Sequence, residues 1–536
     1  MGTEVYVRKA SGLVRTVSTL DVLLFNLIVV NFGYLFVLTV GWSAWQAPGA
    51  NLPIAALLLT LLMIPQSIVF VILSTVMPRS GGDYVYVSRI LHPALGFLSN
   101  WIMVLTGMGI MCIGFIANWA FSILGYAGLL GVGVATNNTS LMHIAELMGT
   151  DPNWIFVGSL LLILFFTIVH ILGTKAYFYV QRILFILGMI GIVIALGVLA
   201  AATHEQFVSS FNSFMITRGF STAANPYQAI IDQAAKEGLS YIDWLPATFL
   251  AMLATYWSMI TSMSSVWFAG EIKRVERSQL IGVLGSVIIC GLFTVISALL
   301  LTNICGYDFL CASGYLFFRG TSPFPYPTYP TTWLAFLTDN VVLQSLMAIG
   351  WFAWGIACLG VWWLIITRSW FAWGFDRIAP SWFADVNPRF HTPTKAIVLA
   401  SVVGIIFLAQ YTYPPTNTFW ATTPLFALLL VPYVLVGISA IILPWKKKDL
   451  YEASPIKKYH VGPIPLISIL GAIMVGFNLA VMYMHLTWPW FGWTDAATYF
   501  SIGVIITAFI WFYAFRYYRK KQGIDVGLAY REIPPD

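Results

Sequence analysis

Long apolar runs, separated by short polar segments, follow one another along the chain from about residue 22 to residue 515. A helix needs about 20 mostly apolar residues to cross the hydrocarbon core of a bilayer. Runs of this kind predict twelve transmembrane helices, at 22–44, 52–77, 95–121, 154–173, 183–203, 244–269, 279–303, 340–367, 396–412, 417–443, 462–484 and 496–515. The pattern therefore predicts an all-α membrane protein.

The composition agrees with this interpretation. Of the 536 residues, 59% are hydrophobic and 9% are charged, whereas soluble domains contain about 25% charged residues. Membrane lipid is therefore the expected solvent for most of the chain. The polar segment ahead of the first apolar run lacks the pattern of a cleaved signal peptide, and we expect it to be a retained cytoplasmic tail.

The distribution of Lys and Arg orients the predicted helices. With the N-terminus placed in the cytoplasm, all but three of the 27 Lys and Arg residues fall in inner segments, the exceptions being Arg218, Lys236 and Arg319. This bias follows the positive-inside rule and predicts a multi-pass protein of the cell membrane with both termini cytoplasmic. A thirteenth span in the apolar stretch 122–142 would destroy the bias, so we assign none there. The net charge of +6 follows from this topology and indicates no nucleic-acid partner.

The sequence lacks the residues that several kinds of chemistry require. No Gly-Lys dipeptide occurs, which excludes a Walker A phosphate loop and with it an ATP-driven pump. The histidines are not paired within spans, as haem ligation would require. We expect no enzyme activity, no metal and no cofactor. Two questions stay open, namely whether Cys305 and Cys311 in a predicted outer loop form a disulfide, and whether the sequons at Asn137 and Asn138 are glycosylated.

Three loop motifs point to a family. The chain contains PRSGGDYVYVSR (78–89), FAGEIKRVERSQ (268–279) and RSWFAWGFDRIAPSWFADVNPRFHTP (368–393). These segments resemble the loops after the second, sixth and eighth helices of the amino-acid/polyamine/organocation (APC) transporters. The motifs occur in the family's order and on the predicted cytoplasmic side. The resemblance covers nearly the whole chain, from residue 13 through the tenth span, and implies an amino acid permease.

The resemblance also implies an architecture. It predicts a five-plus-five inverted repeat with two further helices, in which the first and sixth helices are broken so that free backbone groups meet the substrate. Divided accordingly, the chain consists of a cytoplasmic N-tail (1–21), a first repeat (22–203), an outer loop (204–243), a second repeat (244–443), the eleventh and twelfth helices (444–515) and a cytoplasmic C-tail (516–536).

The predicted substrate site lies where the two breaks meet. Relatives have G-x-G-I-F in the first helix, and the aligned stretch here is NFGYLF (31–36), in which Gly33 is the only glycine. We expect the break to persist, with Asn31 offering a side-chain amide and Trp257 of the sixth helix forming an aromatic wall. The predicted substrate-binding residues are Asn31, Phe32, Gly33, Tyr34, Trp257, Ser258, Thr261 and Ser262.

The sixth helix leaves an alternative open. The family's glycine position falls at Thr261, within the hydroxyl-rich stretch YWSMITSMSS (256–265). Ser and Thr side chains can bond to carbonyls of their own helix, which bends a helix without interrupting it. An interrupted segment that converges on Gly33, or a plain membrane helix with hydroxyls, would both produce this pattern.

Charged residues at the inner ends of the spans are candidates for a gate. Asp21 and Glu271 end the first and sixth spans and are candidates to join them. Single ion pairs at a surface contribute little, so a gating role would depend on how the residues are buried. The predicted gating residues are Asp21, Arg89, Glu271, Asp376 and Arg377.

The spans that form the family's cavity also limit the substrate. No Asp, Glu, Lys or Arg occurs in the first, third, sixth, eighth and tenth predicted spans. A charged substrate side chain would lack a counter-ion there, so the expected substrate is a neutral, hydrophobic amino acid.

The sequence does not show which ion, if any, drives transport, or whether a partner subunit is needed. The lysine that some relatives carry in the fifth helix falls at Gly188, and no Ser or Thr occurs from Met347 to Ile366, where sodium-coupled relatives need hydroxyl oxygens. A coupling proton and simple exchange stay open, as does a partner subunit. The alternative function is a transport-inactive permease-like sensor or a structural subunit of a membrane complex.

Overall fold

A computed structural model of the chain describes residues 15–106, 109–413, 422–488 and 493–531. Within these residues, twelve helices are long and apolar enough to cross a membrane, which confirms the predicted number. The spans are Thr19–Gln46, Leu52–Val76, Pro93–Ala135, Pro152–Leu172, Thr174–Ala201, Trp244–Trp267, Val275–Cys305, Val341–Phe375, Thr394–Thr412, Ala427–Lys446, Leu466–Thr487 and Asp495–Lys521.

Five of the spans change their helical geometry along their length. The first consists of Thr19–Val30, Phe32–Phe36, a π-helical turn Val37–Trp42 and Ser43–Gln46. The third consists of Pro93–Leu105, Ile110–Trp119, a π-helical turn Ala120–Gly125 and Tyr126–Ala135, so the apolar stretch after residue 121 continues this span. The sixth is Trp244–Met259 followed by a 3-10 helix, Ile260–Trp267. The seventh consists of Val275–Gln279, a π-helical turn Leu280–Leu284 and Gly285–Cys305. The eighth consists of Val341–Gly360 and Trp362–Phe375.

Shorter elements connect the spans. The α-helices outside the spans are Asp83–Ile90, Thr139–Thr150, His204–Thr217, Pro226–Lys236, Tyr307–Arg319, Pro330–Trp333, Lys448–Glu452 and Val526–Ala529. The 3-10 turns are Ala269–Glu271, Leu334–Phe336, Ser381–Ala384 and Pro455–Lys458. Strands His460–Val461 and Ile464–Pro465 form a small antiparallel hairpin between the tenth and eleventh spans.

The spans divide into a centre and a periphery. The first, third, sixth and eighth spans are almost surrounded by protein, whereas the fourth, fifth and twelfth spans expose most of their apolar residues. On the fourth and fifth spans, the side chains of Leu161, Ile168 and Val193 are at least 60% exposed. Surfaces of this kind suit lipid rather than water. The four central spans are among the five for which the sequence predicts a cavity.

The contacts between loops define two ends of the bundle. At one end the Lys446 ammonium donates to the Leu91 carbonyl, and the Arg519 guanidinium donates to the Arg377 carbonyl. We call this the basic end, because Lys273, Arg274, Lys447, Lys448, Lys520 and Lys521 lie there as well. At the other end, which we call the far end, the Ile242 N–H donates to the Pro48 carbonyl.

The cysteines in the predicted outer loop are not joined. Cys305 and Cys311 are both free and buried, so the disulfide that the sequence left open is not formed. They lie on two successive helices separated by Gly306, and the Cys311 thiol donates to the Ala44 carbonyl at 3.1 Å. The thiol of Cys311 therefore connects this part of the chain to the end of the first span.

Candidate functional site

The first span is interrupted at Asn31. This residue has a positive φ of 65°, which ends the helix Thr19–Val30 and begins the helix Phe32–Phe36. Its side-chain oxygen accepts the Tyr34 N–H at 3.0 Å, and its Nδ2 donates to the Trp354 carbonyl at 2.7 Å. The side chain is fully buried. Both ends of the amide are thus used within the protein, so Asn31 shapes the break and links it to the eighth span.

The residues after the break face an aromatic environment. The Phe32 ring lies 4.6 Å from the Phe293 ring and 5.1 Å from the Trp354 ring, measured between centroids. The Tyr34 ring lies 5.6 Å from the Trp119 ring. All of these rings except that of Trp119 are buried. The seventh, third and eighth spans therefore enclose the interrupted segment with apolar surface.

Gly33 allows two other spans to approach the break. A Cβ on Gly33 would lie 3.1 Å from a methyl carbon of Leu124 and 3.2 Å from the Cβ of Trp354. A larger residue would require these side chains to shift. The space that a Gly33 side chain would enter is therefore occupied by the side chains of Asn31, Leu124 and Trp354.

The sixth span narrows into a 3-10 helix where the sequence left its form open. The Thr261 hydroxyl donates to the Ser258 carbonyl at 2.6 Å, and the Ser264 hydroxyl donates to the Thr261 carbonyl at 2.7 Å. These are bonds back to the same helix. The chain leaves helical geometry only at Phe268, so this span changes its hydrogen-bond pattern near its middle but is not broken there.

Two of the predicted sixth-span residues have distinct surroundings. The Ser262 hydroxyl is buried and has no hydrogen-bond partner among the described residues, while its carbonyl accepts from the Ser286 hydroxyl at 3.2 Å. The Trp257 ring lies 4.6 Å from the His485 ring of the eleventh span in an edge-to-face arrangement. Trp257 therefore packs towards a helix outside the predicted repeats.

Buried amides form links that the sequence analysis did not identify. The Asn26 amide donates to the Ser265 hydroxyl and accepts the Ser265 N–H, both at 3.0 Å, and this hydroxyl donates to Gln279 at 2.6 Å. These bonds join the first, sixth and seventh spans. The sequence contains a signal for such links, because uncharged polar side chains inside apolar runs must find hydrogen-bond partners within the protein.

A second amide network joins the second, sixth and eleventh spans. The Tyr256 hydroxyl donates to the Asn478 side-chain oxygen at 2.7 Å, and the Asn478 Nδ2 donates to the Gln66 side-chain oxygen at 2.7 Å. All three side chains are fully buried. The eleventh span is thus connected by hydrogen bonds to the centre of the bundle.

Two of the predicted gating residues form a buried ion pair at the basic end. The Arg89 guanidinium lies 2.7 Å from the Asp376 carboxylate, and both side chains are at most 3% exposed. Asp376 also accepts from the Tyr84 hydroxyl at 2.7 Å. Arg377 lies beside this pair with a φ of 61°, and its carbonyl accepts from Arg519 of the twelfth span.

Asp21 and Glu271 pair with residues that were not predicted. Glu271 forms a buried ion pair with Arg368 at 2.6 Å. Asp21 pairs with Arg182 at 2.6 Å, and the side chain of Arg182 is 48% exposed. The ends of the first and sixth spans at the basic end are joined through the backbone instead, because the Val17 N–H donates to the Glu271 carbonyl at 3.0 Å.

The structure explains why Gly188 of the fifth span, at the position predicted to correspond to the lysine of some relatives, has no side chain. A Cβ on Gly188 would lie 2.8 Å from the indole nitrogen of Trp354. The Trp354 ring therefore occupies the space above the position where some relatives carry lysine.

Among the described residues, twelve spans with an interrupted first helix at their centre define a multi-pass membrane protein of the transporter type. The chain belongs to the amino acid permease family, because the model of that family matches residues 17–513. It is therefore a member of the APC superfamily, and the family is one of transporters and not of enzymes.

Proposed function

We propose that this chain is a secondary transporter that moves neutral, hydrophobic amino acids across the cell membrane by alternating access, with both termini in the cytoplasm. The observation that carries the proposal is the interruption at Asn31, in the most enclosed span of a member of the amino acid permease family. A break in a transmembrane helix is tolerated only where protein or a cavity surrounds it.

The break supplies groups for both ends of a zwitterion. The first N–H groups of a helix have no acceptor within it, and the Tyr34 N–H is already bonded to Asn31. The N–H groups of Phe32 and Gly33 therefore remain for a carboxylate, with the helix dipole in their favour. The carbonyls that end the helix Thr19–Val30 suit an ammonium group in the same way.

The surroundings of the break favour an uncharged substrate side chain. Phe32, Tyr34 and Phe293 supply aromatic surface, and the buried hydroxyls of Tyr34 and Ser262 have no hydrogen-bond partner among the described residues. Apolar pockets with a few placed polar groups are typical of sites for small molecules. Phe32, Gly33, Tyr34, Ser258, Thr261 and Ser262 remain the proposed substrate contacts, Trp257 their aromatic wall, and Asn31 the residue that holds the break.

The basic end supports a gate that is closed in this structure. The ion pairs Arg89–Asp376, Glu271–Arg368 and Asp21–Arg182 join different segments there. Opening this end by movement of the first and sixth spans would separate the last two pairs, whereas the backbone bond between Val17 and Glu271 joins the two moving spans to each other. We propose that this end faces the cytoplasm, and that the first and sixth spans correspond within an inverted repeat.

The test is counterflow of labelled amino acids into proteoliposomes. We expect leucine and phenylalanine to compete for uptake better than arginine, lysine or putrescine. Imposed proton and sodium gradients would distinguish a coupled carrier from an exchanger. Binding of an amino acid without any flux would contradict the proposal and identify a permease-like sensor, and stronger competition by the cationic compounds would contradict the assignment of the substrate.

A further inference from the structure

Asp83 is a buried carboxylate at the basic end. Its side chain is fully buried. It accepts hydrogen bonds from the Ser99 hydroxyl at 2.5 Å, the Asn100 amide at 2.7 Å and the Trp267 indole N–H at 2.9 Å. All three donors are neutral, and no Lys, Arg or His among the described residues forms an ion pair with Asp83. Burial of an ionised carboxylate without a cation is unfavourable, so the neutral form gains relative to the ionised one.

Asp83 holds together parts that a gate must separate. It begins the helix Asp83–Ile90 after the second span, while Ser99 and Asn100 belong to the third span and Trp267 ends the sixth. The Gly81 N–H also donates to the Trp267 carbonyl at 2.8 Å. We call residues 80–83 together with residues 267 and 268 the clasp.

The clasp is closely fitted. Gly82 has a φ of 49°, and a Cβ there would lie 3.0 Å from the indole of Trp267. Ser80 and Phe268 pair through their backbones. Movement of the sixth span away from the loop would therefore break the indole bond to Asp83 and admit water to its carboxylate.

The titratable groups on the helices packed around Asp83 form no ion pair with it among the described residues. On the same helix, burial raises the pKa of Tyr84 and of Tyr86, so both phenols stay neutral. Arg89, on that helix, is paired with Asp376. On the tenth span, the Tyr433 hydroxyl donates to the Ile260 carbonyl at 2.8 Å, and Lys446 is bonded to the Leu91 carbonyl.

The direction of the pH effect follows from burial. In the closed clasp, burial raises the pKa of Asp83 to about 6, while the hydrogen bonds from Ser99, Asn100, Trp267 and the Tyr84 backbone oppose the rise. In water the pKa of an Asp is about 3.9. A proton therefore binds more tightly to the closed state. This stabilisation of the closed state is complete below about pH 4 and is lost as the pH rises through about 6.

We propose that Asp83 is a proton-binding site that favours closure of the basic end when protonated and favours its opening when the proton passes to water there. The inference rests on the proposed transport function. The sequence left open whether a proton takes part, and the proposal assigns a residue that binds it. By linkage, the ratio of closed to open molecules should rise about tenfold when the pH falls from about 7 to about 5.

Three variants separate this role from a structural one. Asp83→Asn resembles the protonated carboxyl, because its amide can still accept from Trp267 and donate to Ser99. Ser99→Ala keeps the carboxylate but removes a hydrogen bond that stabilises its ionised form, so the midpoint should move to higher pH. His92→Asn is the control for a histidine in the same loop, whose exposed ring accepts the Ala94 N–H at 3.2 Å.

The experiment measures the distance between two spin labels in nanodiscs. One label replaces the exposed residue Lys273, which follows the sixth span, and the other replaces the exposed residue Lys448, which follows the tenth span. The helix Asp83–Ile90 packs on the tenth span. The native cysteines are all buried, which favours selective labelling. We expect the shorter distance to gain population as the pH falls below about 6. It should dominate at every pH in Asp83→Asn and should follow the unmutated protein in His92→Asn.

The readout needs no substrate, so it can fail independently of the proposed function. A distance distribution that ignores pH, or an Asp83→Asn variant that still responds like the unmutated protein, would overturn the role of Asp83. An unmoved midpoint in Ser99→Ala would do the same. Counterflow of leucine by the same variants in proteoliposomes tests transport separately. Its failure alone would contradict the transport function and would leave the role of Asp83 as a proton site unaffected.

Discussion

The hydroxyl of Tyr530 lies 3.0 Å from the hydroxyl of Tyr84, although 446 positions separate the two residues. The Arg89 guanidinium lies 4.9 Å from the centroid of the Tyr530 ring and 5.4 Å from that of the Tyr84 ring. Val526 and Ala529, in the short helix before Tyr530, are buried. The C-terminal segment therefore covers the ion pair between Arg89 and Asp376 and adds a contact at the basic end.

The first prediction concerns the attachment of this segment. Tyr530→Ala removes both the hydroxyl and the ring above Arg89, and a cation–π contact of this kind contributes about 0.5–2 kcal/mol. We expect the backbone amides of 526–531 to exchange hydrogen about tenfold faster in this variant. Tyr530→Phe keeps the ring and should exchange more slowly than Tyr530→Ala. Exchange at the unmutated rate in both variants would show that other contacts hold the segment.

The second prediction ranks the three ion pairs of the basic end by burial. Breaking a buried pair by removing one partner costs about 3–5 kcal/mol, because a buried charge is left alone. Arg368→Gln and Asp376→Asn should therefore lower the melting temperature strongly. Arg182 is half exposed, although its partner Asp21 is only 5% exposed. Asp21 still accepts from the Ser18 N–H and the Ser18 hydroxyl, so Arg182→Gln should lower the melting temperature less than the other two substitutions.

A double variant provides the control for the most buried pair. Arg89→Met with Asp376→Leu removes both charges, and we expect it to melt above Asp376→Asn, since no lone charge remains. If the double variant were the less stable of the two, the hydrogen bonds of Asp376 would matter more than the charge balance. Equal melting temperatures for Arg182→Gln and Arg368→Gln would contradict the ranking.

The sequence was most informative where the signal is local. The number of spans depends on runs of about 20 apolar residues, and the structure confirms it. The family follows from loop motifs and is confirmed by the match over residues 17–513. In both cases the evidence lies within short continuous segments, so no knowledge of the packing was needed.

Contacts between distant residues were not predictable in the same way. The partner of Asn31 is the carbonyl of Trp354, and the partner of Glu271 is Arg368. Each pair joins spans whose relative rotation depends on the packing of the whole bundle. The sequence did not indicate a role for Asp83, because its motif predicts a loop. The three side chains that donate hydrogen bonds to it come from the third and sixth spans.

The third prediction tests whether Asn31 maintains the break. Asn31→Gly keeps a residue that accepts the positive φ, whereas Asn31→Ala does not, and the left-handed region costs a residue with a side chain about 1–2 kcal/mol. Both variants lose the bonds to Tyr34 and Trp354. We expect Asn31→Gly to melt above Asn31→Ala and to retain counterflow with a raised KM for leucine. Equal melting temperatures would show that the positive φ does not limit this position.

The last prediction concerns the contact between Gly188 and Trp354. A Cβ at position 188 would lie 2.8 Å from the Trp354 indole nitrogen, so Gly188→Ala must displace the ring or separate the fifth and eighth spans. Overpacking of this kind costs about 1–3 kcal/mol, and we expect a lower melting temperature. Trp354→Phe provides a smaller ring and keeps the backbone carbonyl that Asn31 uses, so Gly188→Ala should be much less harmful in that background. If the two substitutions were additive, the clash would not be the cause, because residues in direct contact should couple. A positive coupling would show that the Trp354 ring excludes a side chain from the fifth-span position where some relatives have lysine.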